Sequence, residues 1–467
     1  MKWIVTTGAL CAVLLVLQSC MVGPNYLRPD VATPVAFKEA PKGWKIADPS
    51  NGADRGPWWS VYKDPQLNEL VPQVAINNQN LKAYEAAYRE AQAVVREARS
   101  NLFPTVTASP SVTRAGSSGS AATTQTLEAS GSWDLDLWGK ARRQIESDQA
   151  GAQASAAELA DLTLSAQAEL VTDYFELRYQ DSLARLLNDT ARAYERSLTI
   201  TQNQFTAGVA ARSDVITAQT QLASTRASAI AAGQLRAQYE HAIALLIGKP
   251  PSALTIQPAA LAQSVPEIPL QVPSSILERR PDIAEAERTV KQQSALIGVA
   301  VAAFYPTINL SAVAGYSGAA PLISAANAVW SLAASGSQTL IDGGGRSAAV
   351  DAARANYDQS VANYRQAVLT AFQDVEDQLS NLRILKQQAV AQDQAVRLAR
   401  QAVTISLNEY QAGTSAYTAV VTAQATALSN EEAALQIREN RLVASANLIK
   451  ALGGGWNVSQ LVHEAQR

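Results

Sequence analysis

Side chains that do chemistry are scarce in this sequence: its 467 residues include two cysteines, two histidines and two methionines. Cys11 lies in an N-terminal apolar stretch that reads as a removable leader, which leaves Cys20 as the one thiol of the mature chain and excludes an internal disulfide. His241 and His463 stand far apart, so there is no Cys/His set for a metal and no Cys-His nucleophile pair. His241, beside Ala242 and Ile243, reads as a packed helix residue. Basic runs stop at Arg142-Arg143 and Arg279-Arg280, and the net charge is -3, which removes nucleic acid as a partner. Aromatics make up only 6% against 47% hydrophobic residues, mostly alanine, a composition suited to close helix-helix contact rather than a thick globular core. The acidic set Asp374, Glu376 and Asp377 falls on a heptad helix and reads as a solvated face or lumen wall. Asp342-Gly343-Gly344-Gly345-Arg346 lacks the lysine and hydroxyl of a phosphate loop, so its glycines are assigned to a strand-to-helix junction. No cofactor site and no enzyme emerge.

What is present begins with an address. Lys2 precedes an apolar run from Trp3 to Leu17, too short for a permanent transmembrane helix and ordered like a secretory signal. Leu17-Gln18-Ser19-Cys20 then resembles a bacterial lipobox, with residues 1–19 as signal peptide and Cys20 as the acylated mature N-terminus. Met21, rather than aspartate, follows the cysteine, the pattern of a lipoprotein sorted to the outer membrane. A plain signal peptide with an incidental cysteine is the alternative.

The rest of the chain repeats itself at an offset of about 202 to 206 residues. The Pro104 segment answers the Pro306 segment, Asp136-Leu137-Trp138-Gly139-Lys140 answers Asp342 to Arg346, and Phe205-Thr206-Ala207-Gly208 answers Tyr410-Gln411-Ala412-Gly413. Val215, Ala218 and Gln219 likewise answer Val420, Ala423 and Gln424. A lipidated strap (20–65) therefore leads to repeat 1 (66–248), a proline-rich connector (249–273), repeat 2 (274–453) and a tail (454–467). Strands are expected at 105–114, 126–137, 307–317 and 329–341, where 127–137 alternates apolar with polar residues. Ten-residue strands with one lipid face and one wet face suit an outer-membrane barrel, although a soluble antiparallel sheet shows the same alternation. Four strands cannot close a membrane barrel, so a membrane-crossing sheet demands several copies, and a trimer would supply twelve strands.

Long helices are expected at 139–206, 213–247, 346–412 and 416–452, turning back at the Gly208 and Gly413 segments. Leu170, Leu177, Ala184, Ala191, Leu198 and Phe205, like Val361, Val368, Val375, Leu382, Ala389, Val396, Val403 and Tyr410, recur every seven residues. Such a period specifies left-handed coiled-coil packing, and a helix over 346–412 would reach on the order of 100 Å. The fold class is thus an α+β membrane protein with two tandem repeats, each making one antiparallel helical hairpin. A tube wall and a solid coiled-coil rod fit this periodicity equally.

Several segments resemble the TolC-like outer-membrane factors, specifically their lipoprotein branch that serves RND-type pumps. Cys20-Met21-Val22-Gly23-Pro24-Asn25-Tyr26 with Arg28-Pro29 resembles the branch's start. Trp58-Trp59, Asp64-Pro65-Gln66-Leu67 and Asn77-Asn78-Gln79-Asn80-Leu81 resemble its first-helix region. Arg279-Arg280-Pro281-Asp282-Ile283 and Ala451-Leu452-Gly453-Gly454-Gly455-Trp456 resemble its second-half start and its end. The resemblance implies a homotrimer with a twelve-stranded β-barrel in outer-membrane lipid, a periplasmic α-barrel, and a closed tip opened by a periplasmic adaptor and inner-membrane pump. Export of drugs or other small toxic compounds follows. A duct for type I protein secretion and a lipid-anchored periplasmic scaffold are the rival readings. At the tip, Tyr410 and Gly413 match the family's Tyr-x-x-Gly turn. Ala419 and Thr422 occupy the two positions where relatives carry constricting aspartates, and Asp214 stands at the repeat-1 equivalent of Ala419. The resemblance thus implies a gate held by packing and hydrogen bonds, with Asp214 either lining the tip or simply meeting free amides at its helix N-terminus.

Overall fold

The computed structural model describes residues 21–39, 57–117, 119–266, 268 and 279–456. The expected leader, Cys20, the tail beyond 456, strap residues 40–56 and parts of the connector lie outside them. Seven helices and four strands are formed among the described residues. They run α1 (Pro65–Asn77), α2 (Gln79–Ser100), β1 (Thr105–Ser117), β2 (Ser120–Leu135), α3 (Lys140–Thr206), α4 (Arg212–Leu246), α5 (Pro281–Ala302), β3 (Thr307–Gly318), β4 (Ala328–Ser337), α6 (Gly345–Gln411) and α7 (Tyr417–Ala451).

The internal repetition reappears as equal element lengths. The helices α3 and α6 each have 67 residues, α4 and α7 each have 35, and α2 and α5 each have 22. The four long helices start and stop within one residue of their expected bounds. The strands differ more: β2 starts six residues before 126 and stops two short of 137, while β4 stops four short of 341. Two aspartates cause the early stops. Asp136 accepts hydrogen bonds from the amides of Ala141 and Arg142, both at 3.0 Å. Asp342 accepts from the amides of Gly344 and Arg346, both at 3.1 Å. Each carboxylate therefore satisfies free N–H groups at the start of a long helix and takes its own segment out of the sheet. Gly139, Gly343 and Gly344 make these junctions at φ +80°, +63° and +91°, left-handed values that side chains disfavour.

The chain divides into two compact units that do not follow the repeats. One comprises Met1–Val31, Glu85–Ala157 and Asp282–Ala367, the other Ala32–Tyr84, Glu158–Pro281 and Val368–Arg467. Each unit draws on both repeats, so the repeats are not separate domains.

The first unit holds the sheet, antiparallel throughout in the order β1-β2-β3-β4. Its register sorts most side chains, with Arg114 and Gln125 as polar exceptions on the first face and Val313 and Val329 as apolar exceptions on the second. One face carries Val106, Ala108, Pro110 and Val112 of β1, Leu127, Ala129, Trp133 and Leu135 of β2, Ile308, Leu310, Ala312 and Ala314 of β3, and Trp330, Leu332 and Ala334 of β4. The opposite face carries Thr105, Thr107, Ser109, Ser111, Thr126, Glu128, Ser130, Ser132, Asn309, Ser311, Ser331 and Ser335. Hydroxyls bond across that second face, as in Thr107 to Ser130 at 2.8 Å and Thr126 to Ser317 at 3.2 Å. The apolar face stays open, with Trp330 83% exposed.

The second unit holds a core of Trp58, Leu67, Val71, Val74, Leu170, Val171, Tyr174, Leu177, Ile243, Ile247 and Leu442. Each such leucine or isoleucine contributes about 1.5–3 kcal/mol on burial. Asp64 caps α1, accepting from the amides of Gln66 at 2.9 Å and Leu67 at 3.2 Å, and its other oxygen accepts from the Tyr174 hydroxyl at 2.7 Å. Between α1 and α2, Asn78 is buried, caps Asn80 and Leu81, and donates to the Leu246 carbonyl at 2.9 Å. The Asn-rich first-helix motif is therefore a helix break pinned to α4.

Candidate functional site

The turn ends of the two helical hairpins form the first candidate site. Both α3 and α6 end in the same cap. The amides of Val209 and Gly208 donate to the carbonyls of Gln204 and Phe205, and those of Thr414 and Gly413 to Glu409 and Tyr410. Gly208 and Gly413 sit at φ +78° and +74°, the left-handed position of such a helix end.

The two turns share this backbone but not their packing. Tyr410 is buried against Tyr417, with ring centroids 5.0 Å apart, in a cluster with Ala218 and Val420. Its repeat-1 counterpart Phe205 is 45% exposed. Polar links join the hairpins here. Gln424 Nε2 donates to Ser197 Oγ at 2.9 Å, and Gln204 Nε2 donates to the Tyr410 carbonyl at 3.4 Å. Burial pushes the Tyr417 phenol above its usual value, and the negative charge of nearby Asp214 adds to the rise. Asp214 lies in the first turn of α4 and is half-buried, close enough to act on Tyr410 as well. Ala419 and Thr422 are exposed on α7, and the Thr422 hydroxyl is spent on the Thr418 carbonyl at 2.9 Å. The structure thus brings Asp214, Tyr410 and Gly413 together and leaves Ala419 and Thr422 outside the packed cluster. Thr201 is fully buried here and its hydroxyl donates to the Ser197 carbonyl at 3.0 Å; no sequence pattern singles out Tyr417, Ser197 or Thr201. Val420 and Gln424 were visible there only as landmarks of the repeat.

The second candidate site is the attachment of the N-terminal strap. Arg143, 1% exposed, donates to the carbonyls of Val22 at 3.2 Å and Gly23 at 3.4 Å, to Asn25 Oδ1 at 2.8 Å, and to Glu146 at 2.7 Å. The Val22 amide donates to the Trp138 carbonyl at 3.1 Å. Gly23, at φ +89°, lies so close to Gly298 that an added Cβ would come 2.4 Å from the Gly298 Cα. Tyr26 donates to Glu287, and Arg28 Nε donates to the Tyr364 hydroxyl at 3.1 Å. The motif therefore docks by Val22 and Gly23 at the sheet-helix junction and continues through Tyr26 and Arg28 along α5 and α6, which fixes the residues next to Cys20; Cys20 itself lies outside the described residues. Aromatic side chains gather at the same junction. Trp138 stacks on Tyr305 at 4.9 Å, and Trp133 Nε1 donates to the Leu102 carbonyl at 3.1 Å.

Further along the strap, Glu376 accepts from the backbone amides of Lys38 at 2.6 Å and Glu39 at 2.9 Å. Asp374 pairs with Arg280 at 3.0 Å. Asp374, still 45% exposed, and Glu376 thus tie chain segments on a partly solvated face, and Asp377 of the same acidic set is exposed. His241, expected to be packed, is exposed. Among the described residues no group of three metal-ligating side chains occurs, and no helix is long and apolar enough to cross a membrane.

Comparison with known proteins agrees over nearly the whole chain. The chain is 28% identical over 462 residues to the probable efflux pump outer membrane protein TtgC of Pseudomonas putida, covering 96% of this chain and 95% of that one. It is 31% identical over 436 residues to the pyoverdine export outer membrane protein OpmQ of Pseudomonas aeruginosa, covering 89% and 91%. The solved outer-membrane channel OprN superposes with a TM-score of 0.87 at 30% identity, over 94% of this chain and all of that one. The sequence model described as outer membrane efflux protein matches residues 70–249 and 272–454. The chain belongs to the outer membrane efflux protein family.

Proposed function

We propose that three copies of this chain close their strands into one twelve-stranded barrel, the outer-membrane exit duct of a tripartite RND-type pump that expels small toxic compounds. Membership of the family makes the chain an outer-membrane efflux channel, a transport duct rather than an enzyme. The observation that carries the trimer is the two-faced sheet: an apolar face, a hydroxylated face, and outer edges of β1 and β4 with no strand partner among the described residues. In hydrocarbon each unpaired backbone group costs several kcal/mol, so edges on a lipid-facing sheet must be closed by another copy. The apolar face then meets lipid and the Ser/Thr face a wet bore. Exposed Ile384, Leu398 and Ile405, two heptads and one heptad apart on α6, offer a second seam for a neighbouring helix.

The strap's fixation at the sheet-helix junction supports a lipid anchor at Cys20, seated where interfacial aromatics gather. At the hairpin ends, the Tyr410–Tyr417 cluster and the Gln424–Ser197 bond act as the resting closure, with Asp214 beside it, and an adaptor that spreads the hairpins opens the bore. The test is the mass and conductance of the detergent-purified protein. A trimer that conducts in planar bilayers is expected, and Cys20→Ser should lose acylation but keep the trimer. A stable single-copy species would overturn the reading. Tyr410→Ala with Tyr417→Ala should raise conductance, and unchanged conductance would remove these residues from the gate.

A further inference from the structure

The strands carry three charged side chains, Arg114, Glu128 and Asp134, and the register separates them by sign. Glu128 and Asp134 lie on the hydroxylated face, whereas Arg114, opposite Thr123, shares its face with Val106, Ala108, Val112 and Leu127. No carboxylate stands on that apolar face. Arg114 is exposed, and no ion-pair or hydrogen-bond partner holds its guanidinium among the described residues. A guanidinium on an apolar face must reach water or an anion with its long stem.

Its height on the sheet decides which. The strands join the helices at one end and join each other, β1 to β2 and β3 to β4, at the other. Hairpin ends therefore point away from the helices. On β2 the apolar row runs from Leu135 at the helix end to Leu127, about 27 Å along the strand and about 20 Å in height at a barrel tilt of about 40°. That nearly fills the ~25 Å apolar band of an outer-membrane barrel. Tyr316, paired with Leu127, closes the row, and Gln125, Thr123 and Arg114 come next. Arg114 thus stands where hydrocarbon ends and headgroups begin, at the end remote from the helices.

On one face, opposite residues lie about 5 Å apart and diagonal ones about 7–8 Å, so a single ligand can meet the Arg114 guanidinium, the Thr123 hydroxyl and the Gln125 amide together. A planar fork of donors matches phosphate oxygens. We infer that Arg114, with Thr123 and Gln125, binds the phosphate of a phosphorylated glycolipid in the outer leaflet, one lipid to each chain. The inference rests on the barrel reading proposed above. A lipid rather than a free phosphate fits because Val112, Pro110 and Leu127 lie directly beneath the guanidinium and give acyl chains a surface. As β1 is an edge of the sheet, each bound lipid lies over a seam between copies.

The test titrates the full chain, purified in phosphate-free detergent buffer, with lipid A, an acylated glucosamine disaccharide carrying two phosphates. The same lipid without its phosphates and inorganic phosphate alone are the comparison probes, and bound molecules are counted by native mass spectrometry. Wild-type protein should bind lipid A at least about tenfold more tightly than Arg114→Gln, the loss of a charge-assisted hydrogen bond, and the two should bind the phosphate-free lipid alike. Equal affinity of both proteins for lipid A would overturn the contact, and displacement of lipid A by an equal concentration of inorganic phosphate would overturn the lipid as its ligand. A second measurement reads the barrel itself: in vesicles of brominated phosphatidylcholine, Trp330 should be quenched, and the quenching should vanish in Trp330→Phe. Unquenched Trp330 would remove the apolar face from lipid and sink both readings, whereas quenched Trp330 with unaltered lipid A binding in Arg114→Gln sinks the phosphate contact alone.

Discussion

Replacing Arg143 with methionine keeps most of the stem that packs beside Gly298 and removes the guanidinium that holds the strap. Three strap acceptors, the carbonyls of Val22 and Gly23 and the Asn25 side chain, lose their donor at once, and Glu146 loses its ion-pair partner. Breaking a buried, hydrogen-bonded charge network of this kind costs about 3–5 kcal/mol. The loss falls on the docked strap, whose other ties are the Val22 amide to Trp138, Tyr26 to Glu287 and Arg28 to Tyr364. Amide exchange at Val22 reads it directly, since that amide is protected only while the strap lies on the junction. A cost of this size corresponds to exchange faster by roughly a few hundredfold to several thousandfold. Amides of the neighbouring strands should be unaffected. Wild-type protection at Val22 in Arg143→Met would show that the strap is held without the arginine and would refute the assignment.

Asp181→Ala should leave the guanidiniums of Arg178 and Arg236 and the Ala259 amide without their shared acceptor. It is expected to lower stability by about 3–5 kcal/mol and expose the Ala259 amide, as urea denaturation and exchange would report. Two glycine substitutions separate backbone strain from clash. Gly208→Ala meets open space and should cost only the left-handed penalty of about 1–2 kcal/mol. Gly248→Ala places its Cβ 2.2 Å from the Asn77 carbonyl oxygen and should melt clearly lower; equal melting points would contradict the packing at the α1–α2 break. Val375→Asp puts an unpaired charge at a fully buried heptad position and should lose oligomer stability and efflux activity, and normal drug resistance in that variant would count against a structural seam there.

The long helices were legible because their signals are local and redundant. Heptad positions such as Val368, Val375, Leu170 and Leu177 are buried as their spacing requires, and Gly208 and Gly413 mark the ends. Strand existence was legible from alternation around Leu127–Leu135, but strand ends were not. The Ser120–Thr126 stretch has no apolar alternation, and Asp136 and Asp342 look like strand residues until their bonds to helix amides are seen. The strap was harder still. Arg143, Asn25, Gly23 and Gly298 are far apart in sequence, and only their convergence explains why a short N-terminal motif has the residues it does. At the hairpin ends the Tyr-x-x-Gly pattern located the turn, but Tyr417, Thr201 and Ser197 carry no pattern of their own. His241 misled because apolar neighbours along a helix do not fix which side a residue faces.

Equal element lengths restrict how this chain can drift. With 67 and 35 residues in each hairpin, removing one residue from α3 alone would turn everything beyond the cut by about 100° and draw it back about 1.5 Å. Ser197 would then swing away from Gln424, and Gln204 from the Tyr410 carbonyl. Insertions and deletions within the hairpins should therefore survive only in matched sets, while the stretch between β3 and β4 has room to lengthen.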